Sequence, residues 1–207
     1  MRKINWGIIG LGDIAKNFVE GFKFSENAKL IAIASKNSKK VDEFKNNYNI
    51  NQSYCYHDYE NLIKNQEIDI VYIALPTFLH AEWTTNCLKA GKKVLVEKPA
   101  TINSCEAKRI KKYCVEKNIF FTEGFMYLFH PQIKKVIEII KSGEIGDLVS
   151  INSYFGQNIL TKKKFFFFKK RRKIDPNSRL YNKKMGGGAI LDLGCYPLSF
   201  STIIASL

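Results

Sequence analysis

The chain is short of acids for its bases, of paired cysteines and of long apolar runs, and each shortage excludes something. Its five cysteines (Cys55, Cys87, Cys105, Cys114, Cys195) are odd in number and show neither C-x-x-C nor Cys/His metal spacing, which argues against a disulfide framework or a structural zinc site. Reduced thiols and a cytoplasmic location are expected. No apolar run reaches the ~20 residues of a membrane span. The N-terminus starts basic and turns apolar, but glycines and Asp13 interrupt it and no small-residue cleavage site follows, so neither a signal peptide nor a membrane partner is read. Acids number 19 against 33 bases, a formal charge of +14. The excess is local. Residues 161–184 hold eleven Lys/Arg against the single acid Asp175 and carry +10, which leaves +4 for the rest. Nucleic-acid binding through that segment, where Phe165–Phe168 precede Lys169–Lys173, stays a remote alternative. The preferred reading is a loop of a second domain with solvated charges.

What is present is a series of buried strands, each followed by a special turn. Trp6–Ile9 is a short apolar strand that runs into Gly10-Leu11-Gly12-Asp13-Ile14-Ala15, a G-x-G-x-x-A pattern opening a helix with Ile14, Phe18 and Phe22 on one face. Gly10 permits a tight turn, Gly12 lets backbone approach a pyrophosphate, and Ala15 allows close packing of helix and strand. The second strand, Lys29–Ala34, ends where an NAD-specific site usually carries Asp or Glu. This chain has Ser35-Lys36 there, with Ser38 read as the cap of the next helix. A hydroxyl with a cation suits a 2′-phosphate, so NADP is favoured and NAD remains possible. Asp69–Leu75 is another strand, and Leu75-Pro76-Thr77 lie at the edge where the cofactor would pass. His80 opens the next helix and is read as structural before catalytic, with a cofactor contact reasonable. Lys93–Val96 then delivers Glu97-Lys98-Pro99 to the carboxyl end of a strand, where ligands of open parallel sheets sit.

A capping pattern at Asn103 and Glu106 starts a further helix, Ile119–Thr122 reads as a strand, and Ile133, Val136, Ile137 and Ile140 mark a helix over 131–142. The αβ alternation ends there. Residues 147–156 alternate apolar and polar, as in a half-exposed strand of a different sheet. The boundary is drawn at residue 125, giving a dinucleotide-binding domain over 1–125 and a partial second domain over 126–207. Gly186-Gly187-Gly188 suit backbone pressed against a ligand, and Asp192 and Tyr196 fall four apart.

Taken together, Gly10-x-Gly12-x-x-Ala15, Glu97-Lys98-Pro99, Glu123-Gly124-Phe125-Met126-Tyr127…His130-Pro131 and Gly186-Gly187-Gly188…Asp192-x-Gly194-x-Tyr196 resemble the glucose–fructose oxidoreductase/inositol dehydrogenase (Gfo/Idh/MocA) family. Tyr196, where many members have histidine, is similar to the dihydrodiol and xylose dehydrogenase branch. Leu128 replaces an arginine often seen in relatives. The resemblance implies an α/β chain: a Rossmann doubly wound parallel sheet, then an incomplete α/β (α+β) domain with a mostly antiparallel sheet. It implies hydride transfer between a nicotinamide cofactor and a carbinol or carbonyl carbon of a sugar, sugar derivative or polyol. Lys98, Asp192 and Tyr196 would be catalytic, and Gly10, Leu11, Gly12, Asp13, Ile14, Ser35, Lys36, Leu75, Pro76, Thr77, His80, Glu97 and Lys98 would bind cofactor. Members usually continue well beyond Leu207, so a truncated chain is expected. Full-length relatives are expected to be homo-oligomers, an expectation not extended to this chain, and an inactive dinucleotide-binding fragment is the alternative function.

Overall fold

The computed structural model describes residues 2–164, 168–171, 173 and 175–207. The chain divides into two compact units, Met1–Gly124 and Phe125–Leu207.

In the first unit, β1 (Ile4–Ile9), β2 (Ala28–Ala34), β3 (Cys55–Tyr56), β4 (Ile70–Ile73), β5 (Lys93–Val96) and β6 (Phe121–Glu123) form one parallel sheet in the order β3-β2-β1-β4-β5-β6. Parallel strands need crossovers, and helices cover both faces: α1 (Asp13–Glu20), α2 (Ser38–Tyr48), α3 (Tyr59–Lys64), α4 (His80–Lys89) and α5 (Ser104–Lys117). All four residues of β4 are buried, the mark of a strand covered on both sides. Successive side chains enter opposite cores, as the two-residue strand period requires. Ile9, Val71 and Ile73 pack with Leu62, Trp83 and Leu88 on one face; Ile8 and Tyr72 pack with Ala15, Val41 and Phe44 on the other. The strand order reverses between β1 and β4, so a crevice opens beyond their carboxyl ends.

Two caps refine the sequence reading. Asn37, not Ser38, caps α2: its backbone is still extended and its side chain accepts the Lys40 N–H, whereas Ser38 is already helical. The Asn103 side chain accepts the Glu106 N–H as expected, and Glu106 returns a bond to the N–H of Ile102.

The second unit holds α6 (Pro131–Lys141), β7 (Thr161–Lys164), β8 (Phe168–Arg171), a π-helical turn at Ile190–Gly194 and α7 (Cys195–Ala205). The expected strand over 147–156 is not formed. Its alternating pattern fits a sheet face, but among the described residues it has no partner strand to complete its hydrogen bonds. The segment 161–184, read as a loop, contains the antiparallel β7–β8 ribbon, which sets Lys162 opposite Lys170 and Lys163 opposite Lys169. That ribbon is the only sheet of this unit among the described residues. Phe165, Phe166, Phe167, Arg172 and Ile174 lie outside them. Among the described apolar side chains of this unit only Phe125 and Ile204 are buried, while Met126, Phe129, Val149, Tyr154 and Ile190 are well exposed. By length and composition the helical segment Lys183–Ala205 passes for a membrane-crossing helix, and 6% of its apolar window is buried. The expectation that no stretch is long and apolar enough is corrected to that extent. Glycines and Asp192 interrupt the run, so a count of consecutive apolar residues stops short.

Candidate active site

At the end of β1 the chain makes two different uses of glycine. Gly10 has φ +91°, and a Cβ there would stand 2.5 Å from the carbonyl oxygen of Ala74 at the end of β4. Packing of the two strands therefore demands glycine, before any ligand is considered. Gly12 precedes α1 in ordinary extended backbone, and a Cβ on it would meet nothing within 4 Å. The space before the helix N-terminus is thus open on the protein side, which fits a pyrophosphate held by backbone N–H groups. Leu11 is 2% exposed, so only its backbone can serve such a ligand, and the side chains of Asp13 and Ile14 are exposed in the first helical turn.

At the end of β2, Ser35 is buried, and its hydroxyl accepts the Asn37 N–H at 3.2 Å. It shapes the turn that presents Lys36, whose ammonium stands 5.7 Å from the centre of the Tyr59 ring. At the end of β4, Leu75 is partly buried, Pro76 exposed and Thr77 half-exposed.

The turn after β5 is pinned on several sides. The Glu97 N–H donates to Ile73 O at 3.0 Å, and the Tyr72 hydroxyl donates to Glu97 Oε1 at 2.6 Å. The Ala100 N–H donates to Glu123 Oε1 at 2.7 Å. His80 is 1% exposed, with Nδ1 2.7 Å from Pro99 O and Nε2 2.7 Å from Leu75 O. Burial drives the Tyr72 hydroxyl far above the usual phenol range, and the Glu97 charge adds to it. Burial also lowers the His80 imidazole and raises the Glu123 carboxyl. A carboxyl raised in the fold binds its proton more tightly than in the unfolded chain, so the Glu123 contribution to stability falls as pH rises through its folded value. The half-buried Lys98 thus sits on a backbone held from Ile73, Tyr72, His80 and Glu123.

Two of these supports were not assigned a role from the sequence. Tyr72 was legible only as the one polar tip inside Ile70–Ile73, and Glu123 as an acid ending a buried strand. Neither spacing names its partner.

In the second unit, the Asp192 N–H donates to Gly188 O at 3.1 Å, and its carboxylate lies 3.7 Å from Arg179 Nη1. Tyr196 starts α7, its ring edge-on to Phe125 (5.5 Å) and Phe155 (5.3 Å). Met126, Tyr127, Pro197 and Phe200 complete a cavity of about 390 Å³ beside it. The Tyr127 hydroxyl donates to Ser199 Oγ at 2.8 Å. A Cβ on Gly187 would lie 2.8 Å from the carbonyl oxygens of Arg179 and Asn182, so the close approach is to the chain's own backbone. Gly10–Ile14, Ser35–Lys36, Leu75–Thr77 and Glu97–Lys98 therefore follow β1, β2, β4 and β5 of one sheet edge, and Asp192 and Tyr196 belong to the other unit.

Residues 4–125 match the oxidoreductase family with the NAD-binding Rossmann fold, GFO/IDH/MocA, and residues 133–206 match the GFO/IDH/MocA C-terminal domain. A trans-1,2-dihydrobenzene-1,2-diol dehydrogenase of Xenopus tropicalis is 30% identical over 201 residues, 96% of this chain and 56% of the relative. A 3-ketoreductase from Actinomadura kijaniata, solved with NADP, superposes with a TM-score of 0.64 at 33% identity over 70% of this chain and 46% of that one. An aldose–aldose oxidoreductase from Caulobacter crescentus, complexed with glycerol, shares the fold at a TM-score of 0.80 and 23% identity over 99% of this chain and 58% of that one. The chain thus spans about half the length of the proteins it matches.

Proposed function

The chain belongs to the GFO/IDH/MocA oxidoreductase family, and from that premise we propose that it uses NADP, with NAD as second choice, to oxidise a carbinol or reduce a carbonyl of a sugar, sugar derivative or polyol. One observation carries the reading: the open space before Gly12 and the pinned Lys98 turn lie at the same carboxyl edge, flanking the point where strand order reverses. Bound nicotinamide would supply hydride transfer. Backbone N–H groups of Gly12, Asp13 and Ile14 would hold the pyrophosphate, and Lys36 the 2′-phosphate. Tyr196 would take the hydroxyl proton on its phenolic oxygen, or return it in the reductive direction. A free phenol, with a pKa of ~10, is a poor base near neutrality, and the family resemblance gives Lys98 the part of the cation that favours the ionised form. Asp192, placed near Arg179, would orient a substrate hydroxyl. The five free cysteines support a cytoplasmic setting, and a small-molecule substrate is favoured over nucleic acid.

The cofactor choice has a direct test. Lys36→Ala should weaken NADPH binding about tenfold, the scale of a lost charged contact, and leave NADH binding nearly unchanged in fluorescence titrations. Equal losses for both would sink the 2′-phosphate assignment. A second reading, dinucleotide binding without turnover, is favoured by the exposed apolar side chains of the second unit. It predicts cofactor binding with no product across a panel of aldoses, inositols and cyclic diols.

A further inference from the structure

His80 was expected to be structural or to touch cofactor, yet both its ring nitrogens point at backbone carbonyls on two different turns. Leu75 O belongs to the turn after β4, and Pro99 O to the residue that follows Lys98. Each contact is 2.7 Å and the ring is 1% exposed, so no outside ligand reaches it. Backbone bonds tie the two strands together as far as the Glu97 N–H on Ile73 O. Beyond that point His80 contacts both turns. The ring is rigid and enters at the start of α4, where the helix fixes its position. A neutral imidazole has one N–H and an imidazolium has two. Carbonyls only accept, so the neutral ring donates its single N–H to one turn and packs against the other, while the imidazolium donates to both. Each nitrogen faces a separate turn, and the two halves of the bridge can be removed one at a time.

We propose that His80 is a positioning residue: its imidazole sets the spacing between the Leu75-Pro76-Thr77 turn, on the cofactor side, and the Lys98-Pro99 turn, on the proton-handling side. This deepens the oxidoreductase reading and rests on it. The bridge does no chemistry itself. It keeps the Lys98 backbone in fixed register with the wall against which the cofactor lies, a placement in which errors of about 1 Å cost ~10² in rate.

Asparagine puts an amide nitrogen near the position of Nδ1 and glutamine near that of Nε2. His80→Asn should therefore keep the Pro99 contact, His80→Gln the Leu75 contact, and His80→Phe neither. Two measurements on the intact chain read the two sides without needing turnover. NADPH affinity, by fluorescence, should fall about three- to tenfold in His80→Asn and His80→Phe, the scale of one hydrogen bond, and change little in His80→Gln. Reactivity of the Lys98 amine toward trinitrobenzenesulfonate, mapped by mass spectrometry, should shift several-fold in His80→Gln and His80→Phe and little in His80→Asn. If all three variants move both readouts together, His80 is merely a packed core residue and the proposal falls. It falls equally if folded variants move neither. Should His80→Phe fail to fold, the crossed pattern of the other two still decides. If the wild-type chain binds no NADPH, the cofactor reading fails on its own, and the Lys98 reactivity pattern still tests the bridge.

Discussion

Gly10→Ala should cost the first unit about 2–4 kcal/mol and abolish measurable NADPH binding, whereas Gly12→Ala should stay within about 1 kcal/mol of wild type and still lose affinity. The two glycines sit two residues apart in one motif, yet their surroundings differ. At Gly10 the left-handed backbone conformation is itself unfavourable for alanine, and the added methyl would press on the Ala74 carbonyl at 2.5 Å. Ala74 cannot yield cheaply, because its N–H is bonded to Ile9 O at 2.8 Å and its strand is buried on both faces. Either β1 and β4 separate or the loop changes course. At Gly12 the methyl meets no protein atom, so its only victim is what occupies the space before α1. Denaturant unfolding paired with NADPH titration separates the two effects. A Gly12→Ala protein as unstable as Gly10→Ala would show that this loop is shaped by packing throughout.

On the proposed oxidoreductase reading, a full-length version of this protein should lose ~10² or more of its turnover in Lys98→Met and in Tyr196→Phe, the ordinary scale of general acid–base catalysis. The double variant should lose little beyond either single one, since groups that handle one proton as a unit are not additive. Lys98→Met is a clean substitution because the turn is held through neighbouring atoms: the Glu97 N–H and carboxylate, Pro99 O and the Ala100 N–H. The backbone should survive the loss of the ammonium. Steady-state rates with NADP and whichever member of a panel of aldoses, inositols and cyclic diols is turned over, in all four proteins, decide the matter. Fully additive losses would mean that the two residues act at separate steps.

The cofactor loop and the strand ends were legible in the sequence because their constraints are local. A turn that needs glycine, a helix that needs a small residue at Ala15, and buried runs such as Ile70–Ile73 all declare themselves within a few positions. The supports of Lys98 were not legible. Tyr72 meets Glu97 across 25 residues, His80 meets Pro99 across 19, and Glu123 meets Ala100 across 23. Periodicity reports that a side chain is buried and never names its partner. The capping residue of α2 was misplaced by one position because Asn37 and Ser38 are both good caps, and only backbone conformation tells them apart. The strand expected over 147–156 shows the converse limit. An alternating pattern states a preference, and a strand exists only where another strand accepts its hydrogen bonds.

The uneven burial of the two units has a calorimetric consequence. The heat-capacity increment of unfolding measures apolar surface newly exposed to water, and a unit that fully buries only Phe125 and Ile204 among its described apolar side chains has less to expose per residue than the first. The chain should therefore melt with an increment below the roughly 2.5–3.1 kcal/mol/K usual for a uniformly packed protein of 207 residues, and above the roughly 1.5–1.9 kcal/mol/K of its first 124 residues alone. Its stability curve against temperature would be correspondingly flat, and cold would weaken it less than its length suggests.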